Sequence, residues 1–172
     1  MSKVAQQFGV NSHTLTKRCV GDIKMYKKIL IATDGSELAN RAVTHGLRLA
    51  SELRVPVILV TVTQLWSAME LAHEARLGKS NPIEHFEEIA AASARTILDA
   101  AAKQAEAVGV ICELVHIPDQ NPAEGIIAIA NQKECGLIVM ASHGRRAVGR
   151  LLLGSQVNEV LAHSKIPTLV VR

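Results

Sequence analysis

LIVMASHGRRAVGRLLLGS, residues 137–155, is the stretch on which the reading of the fold turns. Four apolar residues, Leu137 to Met140, give way to the small and polar run Ala141-Ser142-His143-Gly144. A loop carrying Arg145, Arg146 and Arg150 follows, and Gly154-Ser155 opens an amphipathic stretch that runs to His163. A short apolar run with polar punctuation, followed by helical periodicity, reads as a buried strand feeding a helix. These are also the parts of an anion site. The first N–H groups of a helix lack partners within it and carry partial positive charge, so a phosphate satisfies both conditions.

Working outward, the same alternation recurs. Ala123 to Asn131 has helical spacing through Ile126, Ile127, Ile129 and Ala130, and Pro118 to Pro122 is a loop. Val110 to Ile117 reads as a strand. Glu84 to Val108 reads as a long helix with a stripe through Ala90, Ala94, Ile97, Leu98, Ala101, Ala105 and Val108, ended by Gly109. Residues 63–83 are irregular, with Trp66, Gly78, Asn81 and Pro82, and suggest a long loop with one helical turn over Ala68 to Ala75. Val55 to Val62 and Ile29 to Ala32 are continuous apolar strands. Between them lies a helix through Leu38, Ala42, Val43, Leu47, Ala50 and Leu53, with Asp34 or Ser36 as its cap. Pro167 to Val171 is the closing strand.

This β-α-β-α-β-α-β-α-β order predicts an α/β fold, a single doubly wound five-stranded parallel sheet with helices on both faces. The pattern does not itself set the strand order. The order expected is 3-2-1-4-5, for which the reversal falls between strands one and four, where ligands of such sheets bind. Ala32-Thr33-Asp34 and Met140-Ala141-Ser142-His143-Gly144 would then face one crevice.

Composition agrees. At 172 residues the chain suits one domain, and with 48% hydrophobic but only 2% aromatic residues its core must be aliphatic. The net charge of +3 is local: of 19 basic and 16 acidic residues, four and one lie in residues 1–24, leaving 15 of each from Met25 onward. A balanced body speaks against nucleic acid as a partner. Residues 1–24 are expected to be a poorly ordered extension before a domain at 25–172. Within them Ala5-Gln-Gln-Phe-Gly9-Val10 and Leu15-Thr-Lys-Arg18 have the spacing of two helix-turn-helix helices, without a third to complete a core. Cys19, Cys112 and Cys135 are odd in number and lack a C-x-x-C pair, which suits reduced thiols and a cytoplasmic location. No run reaches the roughly 18 apolar residues of a membrane span, and no signal peptide is evident.

Each candidate residue has an ordinary structural reading. Asp34 is a turn or cap residue, Gly144 and Gly154 are turn glycines, Ser155 is an N-cap, His143 makes a surface hydrogen bond, and Arg145 and Arg146 are solvated. As a set the backbone at Gly144, Gly154 and Ser155 suits phosphate, while Asp34 suits a ribose hydroxyl or a divalent ion bridging phosphates. Neither G-x-x-x-x-G-K-[ST] nor G-x-G-x-x-G occurs, which argues against a generic NTPase.

Tyr26-Lys-Lys-Ile-Leu-Ile-Ala-Thr-Asp-Gly-Ser36, then Met140-Ala-Ser-His-Gly144, nine residues and Gly154-Ser155, and finally Ile166-Pro-Thr-Leu-Val-Val171 together resemble the universal stress protein family, in its ATP-binding branch. The resemblance covers Met25 to Arg172. The family motif is G-x-x-G, nine residues, G-[S/T], and Ala141 stands where its first glycine belongs. Such a change is tolerated at negative φ and costly at positive φ. The resemblance implies that Ala32, Thr33 and Asp34 flank adenine and ribose, and that Val62 offers its backbone to the adenine edge. It also implies that Met140, Ala141 and His143 line the nucleotide, and that Gly144, Gly154, Ser155 and Gln156 hold phosphates. ATP with Mg or Mn is the implied cofactor, with Asp34 near the metal. The implied partner is a second copy, paired through Leu169, Val170 and Val171 of the last strand.

The implied function is a nucleotide-dependent stress-response regulator. No catalytic residue is assigned: His143 is the single candidate for orienting a water, so hydrolysis is expected to be weak or absent. The alternatives are a dimeric interaction module that binds no nucleotide, and an adenylating or pyrophosphatase enzyme. The last expects a serine- and glycine-rich loop where this chain has Ala-Thr-Asp-Gly-Ser.

Overall fold

The computed structural model describes residues 25–64, 76, 82–144 and 153–172. The expectations for residues 1–24, for a helical turn over Ala68 to Ala75, and for Arg145, Arg146 and Arg150 lie outside the described residues. Along the described chain the elements are β1 (Ile29–Ala32), α1 (Glu37–Leu53), β2 (Val57–Val62), α2 (Pro82–Ala107), β3 (Cys112–Ile117), α3 (Pro122–Gln132), β4 (Leu137–Ala141), α4 (Ser155–His163) and β5 (Thr168–Val171). The strands form one all-parallel sheet in the order β3-β2-β1-β4-β5.

The apolar strands are continuous because both faces of the sheet are covered. Ile29, Ile31, Val57, Leu59, Leu137 and Val139 pack beneath α1 and α2. Their neighbours Leu30, Ile58, Val60, Ile138 and Met140 pack beneath α3 and α4. Ile29, Leu30 and Ile31 of the central strand are wholly buried. Helix α1 lies very close to β1: an ideal Cβ on Gly46 would stand 2.5 Å from Cδ1 of Ile31. Only the absence of a side chain there permits the approach.

Three strands begin later than their apolar runs. β2 begins at Val57 rather than Val55, β3 at Cys112 rather than Val110, and β5 at Thr168 rather than Pro167. Val55 and Val110 are buried but belong to the ends of the preceding helices. The Val55 N–H donates to the Ala50 carbonyl at 3.0 Å and the Val110 N–H to the Ala105 carbonyl at 2.9 Å. Each follows a residue in the left-handed region, Arg54 at φ 52° and Gly109 at φ 68°. A third such ending precedes β4, with Glu134 at φ 54° and the Cys135 N–H donating to Ala130 at 2.8 Å. All three match the helix ending in which a left-handed residue turns the chain and the next apolar residue is tucked under the last turn. Pro167, which lacks an N–H, only contributes its carbonyl, accepting from Ile138 at 2.9 Å.

Because each helix follows a parallel strand, α1, α3 and α4 all begin at the carboxyl edge of the sheet. That edge holds the candidate site.

Candidate functional site

The turn after β1 is built by its own side chains. The Thr33 N–H extends the ladder by donating to the Val60 carbonyl at 2.9 Å. The Thr33 carbonyl accepts from the buried Thr61 hydroxyl at 2.9 Å. Thr33 Oγ1 accepts from the Gly35 N–H at 3.2 Å, and Gly35 takes φ 77°, which favours glycine. Asp34 Oδ1 accepts from the Ser36 N–H at 3.0 Å, an Asx turn that orients the carboxylate. Of the two candidate caps for α1, Ser36 takes the role, its hydroxyl accepting from the Ala39 N–H at 3.2 Å.

The turn after β4 meets it. An ideal Cβ on Gly144 would lie 2.9 Å from Asp34 Oδ2, so the carboxylate occupies the space a side chain at 144 would need. The ends of strands one and four therefore share one crevice. Ser142 closes the adjacent loop: its N–H donates to the Val171 carbonyl at 2.8 Å and its carbonyl accepts from the Gly154 N–H at 2.9 Å. The buried Ser142 hydroxyl lies 3.0 Å from Nδ1 of His143, the direction of donation following the imidazole tautomer. An ideal Cβ on Gly154 would meet the Ser142 carbonyl oxygen at 3.2 Å and Cα of His143 at 3.5 Å. Neither glycine uses the left-handed region, so what each provides is close approach rather than φ.

Ala141 answers the condition set by its departure from the family motif. It is not among the positive-φ residues, lies in β4 opposite Val171, and packs its methyl with Ile31, Val139 and Val171 beneath α1 and α2. The alanine thus carries no backbone strain. Ala32 and Met140 point to the other face, under α3 and α4.

Two details differ from the sequence reading. The N-cap of α4 is Gly154, at φ −61° and ψ 154°, and Ser155 is the first helical residue and exposed. The Gly154 N–H, expected to face an anion, is instead donated to Ser142. What the glycine provides is close backbone approach. Gln156, expected to hold phosphate, accepts from the Ala123 N–H at 2.8 Å through Oε1. Helix α4 nonetheless has no side-chain cap, whereas α1 is capped by Ser36 and α3 by Asn121.

Val62 flanks β1 on the side away from Gly144. The Thr63 N–H donates toward β3, to Ile117 at 2.9 Å, while the Val60 carbonyl faces β1. Since successive residues of a strand alternate in direction, the Val62 N–H and C=O turn toward β1, beyond the point where that strand ends. Thr61, Ser142 and Gly125 were not singled out from sequence. An ideal Cβ on Gly125 would come 3.3 Å from both Val62 methyls, so α3 closes against this strand end. A lone threonine in the run VILVTV is the one signal that could have marked Thr61, because a buried hydroxyl needs a partner.

Further along the edge, Nε2 of His116 lies 3.0 Å from the Thr63 hydroxyl. Burial holds the His116 imidazole below its usual value, partly offset by Asp119. At the opposite edge, burial pushes the Cys135 thiol up to about 11, against the pull of Lys28. Cys112 is raised by burial as well, and both are free thiols. Among the described residues no group of three or more His, Cys, Asp or Glu could hold a metal ion, and no helix is long and apolar enough to cross a membrane.

The family model described as the universal stress protein family matches residues 25–172. The chain belongs to the universal stress protein family. A universal stress protein of Thermus aquaticus is 34% identical over 160 residues, covering 86% of this chain and 100% of its own. Universal stress protein MJ0577 of Methanocaldococcus jannaschii is 32% identical over 158 residues, 86% of this chain and 96% of its own. The solved MJ0577 structure, 28% identical, superposes with a TM-score of 0.67 over 86% of this chain and 96% of that one. A universal stress protein in complex with cAMP, 22% identical, shares the fold at a TM-score of 0.61, over 86% and 97%. The five-stranded 3-2-1-4-5 sheet of this universal stress protein is that of its solved relatives.

Proposed function

We propose that this universal stress protein binds ATP at the β1/β4 switch point and acts in the cytoplasm as a nucleotide-dependent regulator of the stress response, with weak or no hydrolysis. The observation that carries the reading is the approach of Asp34 Oδ2 to Gly144, which brings an acceptor for ribose against the backbone of the turn after β4. The Val62 N–H and C=O form a donor–acceptor edge for adenine. Ala32, Thr33, Met140, Ala141 and His143 surround the nucleoside, and the uncapped start of α4 at Ser155 faces the phosphates, where the helix dipole favours anions. Asp34 is the residue that would hold a Mg or Mn ion bound with the phosphates, the ion supplying positive charge to neutralise them. The relative bound to cAMP shares this fold, which makes an adenine nucleotide the first ligand to test.

The chain works as a homodimer through β5. Both β3 and β5 are sheet edges, and they differ. On β3, Glu113 is paired with Lys133, the kind of charge that blunts an edge. On β5, Leu169-Val170-Val171 carries no charge; an exposed leucine stands on each edge, Leu169 on β5 and Leu114 on β3.

Isothermal titration with ATP and magnesium tests the reading, with Asp34→Ala as control and mass spectrometry of the purified chain for retained nucleotide. Binding by the wild type and a loss of at least roughly tenfold in Asp34→Ala are expected, the worth of a hydrogen bond to a charged group. Absence of both binding heat and retained nucleotide ends the proposal and leaves the interaction-module reading.

A further inference from the structure

We infer that Gln156 is a positioning residue: its carbonyl oxygen ties the first turn of α4 to that of α3 and holds the uncapped start of α4 against the crevice. The inference rests on the nucleotide reading above and deepens it, because it changes the role expected of Gln156 from phosphate contact to support.

The first turn of α3 already has an acceptor of its own. Asn121 Oδ1 accepts from the Ala123 N–H at 2.9 Å and from the Glu124 N–H at 3.5 Å. Gln156 Oε1 reaches the same Ala123 N–H at 2.8 Å across 33 residues of chain. The donor is an amide N–H, so the carboxamide must present its oxygen there. Beneath this contact Ala123 and Val157 lie in one buried cluster, so the polar tie sits on top of a packed helix pair.

The consequence for α4 follows from what its first turn lacks. A helix commonly satisfies its leading N–H groups with a side-chain oxygen from its own cap. Here the cap is glycine, with no oxygen to offer, and makes no side-chain bond. A glutamine near the helix start can fold back to the N-cap N–H. That route is closed, because the Gly154 N–H goes to Ser142 and the glutamine goes to α3. Gly154 fixes α4 to the end of β4, and Gln156 fixes it to α3. The position of the phosphate grip is therefore set by two bonds that a ligand need not touch.

The test combines titration of the full chain with ATP and with adenosine, and NMR of the Ala123 amide. Gln156→Met keeps length and volume and removes the acceptor. In that variant the Ala123 amide proton moves upfield, left with Asn121 Oδ1 as its acceptor, ATP affinity falls about fivefold, and adenosine affinity is unchanged. Gln156→Glu retains an acceptor, so the Ala123 signal stays protected. Lower ATP affinity in Gln156→Met with an unaltered Ala123 amide overturns the inference in favour of direct phosphate contact. Equal losses for ATP and adenosine, or no loss for either, also overturn it. If the wild type binds neither ligand, the nucleotide reading fails and the positioning role with it, while the Ala123 measurement separately reports whether the tie exists.

Discussion

Replacing Gly144 by alanine puts the shared crevice to its most direct test. The added Cβ would stand 2.9 Å from Asp34 Oδ2 and 3.9 Å from its Cγ. The first distance is too short for a carbon and an oxygen, so the carboxylate must swing away by a few tenths of an ångström. It sits at the end of a rotatable side chain whose other oxygen is held by the Ser36 N–H at 3.0 Å. Moving it off its rotamer costs about 0.5–1.5 kcal/mol, which leaves the fold intact. The ligand loses more. A charge-assisted hydrogen bond from a ribose hydroxyl contributes about 1.5–3 kcal/mol, so nucleotide affinity falls roughly ten- to hundredfold. Titration calorimetry of wild type and Gly144→Ala with ATP and with adenosine, alongside urea unfolding, reads both quantities. Because the ribose is common to both ligands, both should weaken together. An affinity within about twofold of wild type would refute the argument that Asp34 and Gly144 face a nucleotide.

Three other outcomes follow from the same geometry. Gly46→Ala places a Cβ 2.5 Å from Cδ1 and 2.9 Å from Cγ1 of the buried Ile31; overpacking by about 1–3 kcal/mol outweighs a helix-propensity gain of at most ~1 kcal/mol, and the urea midpoint drops. Cys135 keeps its proton to about 11 in the folded chain, against 9.0 for an unburied thiol, chiefly through burial. Between those values the unfolded chain binds fewer protons, so stability falls as pH rises, and Cys135→Ala removes part of that fall in unfolding measured at pH values across this window. Leu169→Lys puts a charge on the exposed β5 edge; light scattering should show the proposed dimer shift to monomer, and an unchanged mass would move the interface elsewhere.

Much of this protein was legible locally. Short apolar runs between polar punctuation located all five strands, and Ile29–Ala32 and Ser155–His163 coincide with the expected bounds. Strand signals depend on neighbours in the chain, so the element order could be read directly. Gly109 announced the end of α2, but Arg54 and Glu134 take the same left-handed turn without a glycine to mark it. Packing of Val55 and Cys135 under the preceding helices outweighs that local cost, and no residue-by-residue propensity registers it. What the tertiary structure alone decided were contacts between distant segments: the order 3-2-1-4-5, Asp34 against Gly144, the Gly154 N–H turned to Ser142, and Gln156 bound to Ala123. A sequence states which groups can donate, accept or give way; which of them meet is set by how helices and strands pack, and packing is a property of the whole chain at once.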